Sequence, residues 1–231
     1  MNRGEAQQIF DGSMLGDASI KEVWGKRSIN PTCVYAFAQT GNDHIDSIEN
    51  IKSALTTLGV STSEIKPYNH KGLSSGHYNG FHSHACEYIK LQCSRWYKDR
   101  IKIVPPDLTL TPLMLARFFM DDGMSTYDKR NDAVIVRLAS CSFSEQENVS
   151  LMSMLHNMDI DSTKAHSYRL PVISIRQGSV DIFMDVVEPF IVPSFMYKIK
   201  HRGSYKGPIA YRLSRKDRSF FSSLRAKLKG A

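Results

Sequence analysis

The chain has 231 residues, 42% of them hydrophobic, and a formal charge of +7. No apolar run nears the ~18 residues that a membrane span requires, and the N-terminal residues carry charge but lack the apolar segment of a secretory signal. The length suits one large or two small domains.

Taken in chain order, residues 5–16 read as a helix. Residues 32–40, rich in β-branched and aromatic side chains, read as a strand. An amphipathic helix is expected over 46–58, with Ile48, Ile51, Leu55 and Leu58 near helical spacing and Gly59 as its stop. A turn-rich loop follows at 71–76, then a strand over 78–84 and a helix over 86–97. Residues 99–110, with the pair Pro105-Pro106, read as a linker. The same order of signals then returns: a helix at 112–121, a strand at 132–141, and a helix opened by Ser144 with Glu147 three residues later, the capping-box pattern. A strand at 168–176 and a helix at 180–189 complete it. Mixed helices and hairpin-like strand pairs point to an α+β fold. The expected organisation is two halves, 1–105 and 106–199, and a tail, 200–231.

Charge is unevenly spread. Ten of the 30 Lys and Arg residues fall in 200–231, with one acid, Asp217; the body retains 20 basic and 22 acidic residues. A basic tail with interleaved Tyr205, Tyr211, Phe220 and Phe221 suits non-specific contact with a phosphate backbone. The four cysteines, Cys33, Cys86, Cys93 and Cys141, form no C-x-x-C pair, so they read as free, buried thiols in a reducing compartment. The cytoplasm of a bacterial or phage-infected cell and an organelle matrix are both compartments of that kind.

Two segments, Phe10 to Ala18 and Leu115 to Gly123, rhyme when laid over each other. The acid they share is Asp17 with Asp122, an offset of 105 residues, nearly half the chain. Each is an apolar helix-like run that ends in a carboxylate and a small residue. One carboxylate per copy points to a composite site on a pseudo-two-fold axis. Gly12 and Gly16, four apart, share a helical face and permit close helix packing, with Ala116 as the small surface in the second copy. Two carboxylates brought together repel unless a cation lies between them, and an environment of carboxylate, water and phosphate oxygens is the one Mg²⁺ prefers.

These two segments resemble degenerate copies of the LAGLIDADG motif of homing endonucleases. Leu110-Thr111-Pro112 through Asp121-Asp122-Gly123, with Ser142-Phe143-Ser144 and Pro189 to Pro193 followed by Met196-Tyr197-Lys198, resembles the mitochondrial omega-intron endonuclease subgroup. The resemblance covers residues 9–199. It implies a monomer of two αββαββα-like halves with a saddle of antiparallel β-sheets and two central packed motif helices. It further implies hydrolysis of both DNA strands at a long, specific site with Mg²⁺, for which Mn²⁺ substitutes. By this resemblance Asp17 and Asp122 are the direct metal ligands, and backbone carbonyls near Gly16 and Asp121 complete the shell. Asp121 has no acidic counterpart in the first copy and is read as a supporting residue. Lys102 and Lys198 stand near each scissile phosphate, with Arg100 as an alternative to Lys102.

On the open sheet faces, Gln39, His82, His84, Arg137, Ser174 and Arg176 are candidates for reading bases in the major groove, with Lys21 and Arg169 as phosphate contacts. A metal site from His77, His82, His84 and Cys86 is disfavoured, since no further ligand cluster completes it. Double-stranded DNA is the expected partner. An RNA maturase on the same scaffold, acting on intron RNA, and a catalytically inactive DNA-binding protein are the alternatives. Ala18, where the motif ordinarily ends in Gly, and the long tail are departures from the family pattern.

Overall fold

The computed structural model describes residues 1–24, 31–40, 43–69, 77–167 and 170–199. The turn-rich loop expected at 71–76, the whole basic tail and Arg169 lie outside the described residues.

The first half runs α1 (Arg3–Leu15), β1 (Ser19–Val23), β2 (Thr32–Thr40), α2 (Ile45–Thr57), β3 (Lys66–Asn69), β4 (His77–His82) and α3 (Glu87–Trp96). A small hairpin, β5 (Tyr97–Lys98) with β6 (Ile101–Lys102), follows. The second half repeats the order: α4 (Pro112–Asp122), β7 (Gly123–Asp128), β8 (Ala133–Ala139), α5 (Glu145–His156), β9 (Ser162–Ser167), β10 (Leu170–Ile175) and α6 (Val180–Val187). A final 3₁₀ segment covers Pro193–Ile199. Each half holds one four-stranded antiparallel sheet, with matching orders β1-β2-β4-β3 and β7-β8-β10-β9. The α+β expectation with two αββαββα halves holds.

Local chemistry explains where the helices start. Asn2 and Glu5 form a reciprocal capping box on α1, as Ser144 and Glu147 do on α5. Thr111 caps α4, with Pro112 supplying a preset first turn. Strand alternation explains the core. Cys33, Tyr35 and Phe37 of β2 point inward, as do Val134, Val136 and Leu138 of β8. They pack on helices through Phe10, Ile48, Ile51 and Leu55 in one half and Phe119, Leu151, Leu155 and Phe183 in the other.

The segment at 99–110 is not all linker. Asp99 and Arg100 take positive φ, 51° and 65°, the conformation of a tight two-residue hairpin turn. The turn folds β6 back on β5, and Tyr97 pairs with Lys102. The Tyr97 hydroxyl accepts from the Ile20 amide at 3.1 Å, tying this hairpin to β1. The cysteines are free, but only Cys33 is buried; Cys86 and Cys93 are half-buried, and Cys141 is exposed because it falls in the turn between β8 and α5.

Candidate active site

Helices α1 and α4 pack side by side and end together. Their contact is closest where α1 has no side chains. A Cβ added to Gly12 would lie 2.6 Å from Arg117 Cβ and 2.8 Å from the Met114 carbonyl oxygen; one added to Gly16 would lie 2.4 Å from Asp121 Cβ. The expected small-against-small packing is thus corrected: the two glycines of α1 accommodate a long basic and an acidic residue of α4. Arg117 and Asp121, one turn apart, form an ion pair whose side chains are almost wholly buried. The Arg117 guanidinium also lies 5.5 Å from the centre of the Phe37 ring.

At the shared C-terminal end of these helices stand Asp17 and Asp122, beside Asp121. Loss of hydration in the crowded cleft, then the charges of Asp121 and Asp122, push the Asp17 carboxyl up to about 8. The same loss of hydration, with Asp121, pushes Asp122 up to about 6, against the pull of Lys102 and Lys198. Asp17 keeps an exposed edge and Asp122 is half-buried, so both remain open to a ligand. The Asp121 carboxylate is committed to Arg117 and Gln39; burial nonetheless raises its pKa.

Each helix end is held by a lysine. Lys102 Nζ donates to the carbonyls of Gly16 and Ala18, both at 2.9 Å. Lys198 Nζ donates to those of Phe119, Met120 and Gly123 at 3.1, 2.6 and 2.6 Å. Unpaired carbonyls at a helix C-terminus favour a cation there. Burial lowers both lysines to about 8, opposed by the three aspartates. Arg100 is largely exposed and lies 3.7 Å from Glu22; of the two, it is Lys102 that reaches the end of α1.

Gln39 is a correction. It lies on the inner face of β2, 6% exposed, and its amide donates to Asp17 at 2.6 Å and to Asp121 at 3.2 Å. Buried there, it turns its amide to the two acids and away from the open face of the sheet. Its buried neighbours Tyr35 and Phe37, four and two residues back, carry that signal, since strand side chains alternate. The other base- and phosphate-contact candidates among the described residues lie nearer the surface. Lys21, His82, His84 and Arg176 are exposed, and Ser174 and Arg137, paired in register, are half-buried on the outer face of the second sheet. His82 and His84 lie near Ser63 and Ser61.

Among the described residues, no group of three His, Cys, Asp or Glu converges to hold a metal by protein side chains alone. The donor set still fits Mg²⁺, which takes one or two carboxylates and fills its remaining positions with water and substrate phosphate. Gly16 contributes a carbonyl that already accepts from Lys102, and Asp121 has only its backbone carbonyl left to offer.

Comparison with known proteins bears on the family and the fold. A protein of Methanocaldococcus jannaschii with no characterised role is 28% identical over 87% of this chain and 76% of its own length. The cytochrome b mRNA maturase bI2 of Debaryomyces hansenii is 27% identical over 84% of this chain and 73% of its own. The homing endonuclease I-WcaI, solved bound to its DNA recognition sequence, shares the fold with a TM-score of 0.71 and 23% identity over 86% of this chain and 88% of that one. The sequence profile of the LAGLIDADG DNA endonuclease family matches residues 7–183. A duplicated helix–sheet half, two motif helices in contact and that match together establish that the chain belongs to the LAGLIDADG DNA endonuclease family.

Proposed function

We propose that the protein is a site-specific double-strand DNA endonuclease that hydrolyses phosphodiester bonds with Mg²⁺ and acts as a monomer. The observation that carries this reading is the convergence of Asp17 and Asp122, one from each motif helix, beside the half-buried Lys102 and the buried Lys198. Asp17 and Asp122 hold the metal, with the carbonyls of Gly16 and Asp121 at its margin. A bound Mg²⁺ supplies a lowered pKa for the attacking water and neutralises charge on the phosphate and leaving oxygen. Gln39 fixes the Asp17 carboxylate and keeps Asp121 turned towards Arg117. Lys102 and Lys198 place positive charge at the helix ends, where charge develops on each scissile phosphate. The open faces of the two sheets, with Arg137, Ser174, Arg176, His82 and His84, read the duplex, and Lys21 and Arg169 contact its backbone. The tail adds contacts without sequence preference.

The test is a plasmid library carrying candidate target sequence, incubated with Mg²⁺ and then with EDTA. Discrete linear product that vanishes in EDTA is expected. Asp122→Asn should abolish cutting and preserve binding; cutting of both strands at the wild-type rate would remove the assignment. A second reading, RNA maturation, is favoured by the cytochrome b mRNA maturase similarity. Its signature is accelerated splicing of an intron RNA by the Asp122→Asn variant, which the nuclease reading does not require.

A further inference from the structure

Each lysine donates to the end of its own half's motif helix, but the segments that carry them are gripped by the other half. Val104, two residues after Lys102, donates its amide to Glu147 Oε1 at 2.7 Å. Glu147 belongs to the first turn of α5 in the second half, and its other oxygen accepts from the Ser144 amide to close the capping box. The reverse contact comes from the end of the chain. Ser194, four residues before Lys198, donates its amide to Asp46 Oδ2 at 3.0 Å. Asp46 lies in the first turn of α2 in the first half. A stacked pair reinforces that grip: the His44 ring lies 4.2 Å from the Phe195 ring at an interplanar angle of 11°. The Phe195 ring in turn lies 5.1 Å from Lys198 Nζ.

The geometry points to a crossed pair of positioning residues: Glu147 of the second half sets Lys102 in the first, and Asp46 of the first half sets Lys198 in the second. The acids occupy corresponding places, the first turns of α2 and α5. The lysines do not, since Lys102 comes from the β5–β6 hairpin and Lys198 from a 3₁₀ segment. Such different carriers have no common local device for aiming an ammonium group. Each instead has a backbone amide anchored by a carboxylate across the pseudo-two-fold axis. An amide bonded to a charged acceptor is held more firmly than one bonded to a neutral group. Each lysine therefore reports whether the opposite half is in place, and the two strand cuts depend on separate acids outside the carboxylate cluster.

The consequence for cleavage rests on the endonuclease reading; the positioning itself does not, so the experiment has two arms. In the first, strand-specific end labelling follows cutting of the wild-type target by Asp46→Ala and Glu147→Ala. Each variant should slow one strand by about tenfold or more, consistent with loss of alignment of a reacting group, and the two should slow opposite strands. Asp46→Asn and Glu147→Gln retain an acceptor oxygen and should restore both strands. Ser144→Ala, which weakens the α5 cap but leaves the Val104 contact, should leave the strand ratio at its wild-type value. A purely structural role would slow both strands together. In the second arm, no DNA is used: lysine acetylation by acetic anhydride is followed by peptide mass spectrometry. Glu147→Ala should raise labelling of Lys102 alone, and Asp46→Ala that of Lys198 alone. Equal labelling of both lysines in either variant, or unchanged labelling in both, overturns the inference. Correct labelling without any wild-type cutting removes the nuclease reading and leaves the positioning intact.

Discussion

The two halves share a backbone plan and differ in the side chains at its centre. The α1 helix brings Gly12 and Gly16 to the contact; α4 brings Arg117 and Asp121. Behind Asp17 stands Gln39, two of whose contacts are to carboxylates. In register, Ser19 pairs with Ala36 and Met124 with Arg137, which makes Ser140 the counterpart of Gln39. Ser140 is fully buried and its hydroxyl finds no protein partner. Duplicated backbones therefore do not produce equivalent acids. Asp17 has a fixed donor and the more strongly raised pKa, while Asp122 relies on the lysines.

The largest effect expected from disturbing this contrast comes from Arg117→Met. It strands a buried carboxylate, and breaking a buried pair from one side costs about 3–5 kcal/mol, read as a lower urea midpoint. Adding Asp121→Asn should recover most of the loss, because no unpaired charge remains. Giving α1 a side chain is the next largest change. In Gly16→Ala the new methyl meets Asp121 Cβ at 2.4 Å, and such overpacking costs about 1–3 kcal/mol. Full wild-type stability in this variant would show that the two helices can separate without loss.

Gln39→Ser places the residue of the second half in the first. Losing a group that orients a metal-binding carboxylate typically lowers activity or metal affinity about 10–100-fold. The effect is expected on one strand, so nicked plasmid should accumulate ahead of linear product. Equal slowing of both strands would mean that the two acids act as one unit.

The smallest expected effect is on pH. Folded Asp17 and Asp122 carry raised pKa values, about 8 and about 6, so the folded chain binds protons that the unfolded chain has released. Their contribution to stability is therefore greatest below the ordinary carboxylate range and falls as pH rises through about 6 and about 8. A divalent ion binds the deprotonated pair. Mg²⁺ should accordingly raise Tm by more at pH 8.5 than at pH 5.5, and its binding should release protons, measurable by calorimetry in two buffers.

The same contrast between local and distant information governs what could be read from the residues. The four central strands, β2, β4, β8 and β10, were all expected near their observed positions. The other strands of the two four-stranded sheets, β1, β3, β7 and β9, were not, and every one is a sheet edge. Edge strands are short and polar, as in SIKEV and STKAHS, because charge on an exposed edge deters pairing with other chains. Without an apolar alternation they carry no period to detect. The central strands, covered by helices on one face, must display that alternation.

Helix limits, capping boxes, central strands and the repeated aspartate are properties of neighbours or of a duplicated phrase, and the order of residues carries them directly. Other features depend on contacts between residues 43 to 148 positions apart. Gln39 turns inward to the acids, Arg117 and Asp121 fill the space left by two glycines, and Asp46 and Glu147 reach across to the segments holding the lysines. No local pattern records which distant amide a carboxylate will meet. That follows from how the two halves close on each other, and burial then makes those pairings obligatory, since an unpaired polar group inside the protein is costly.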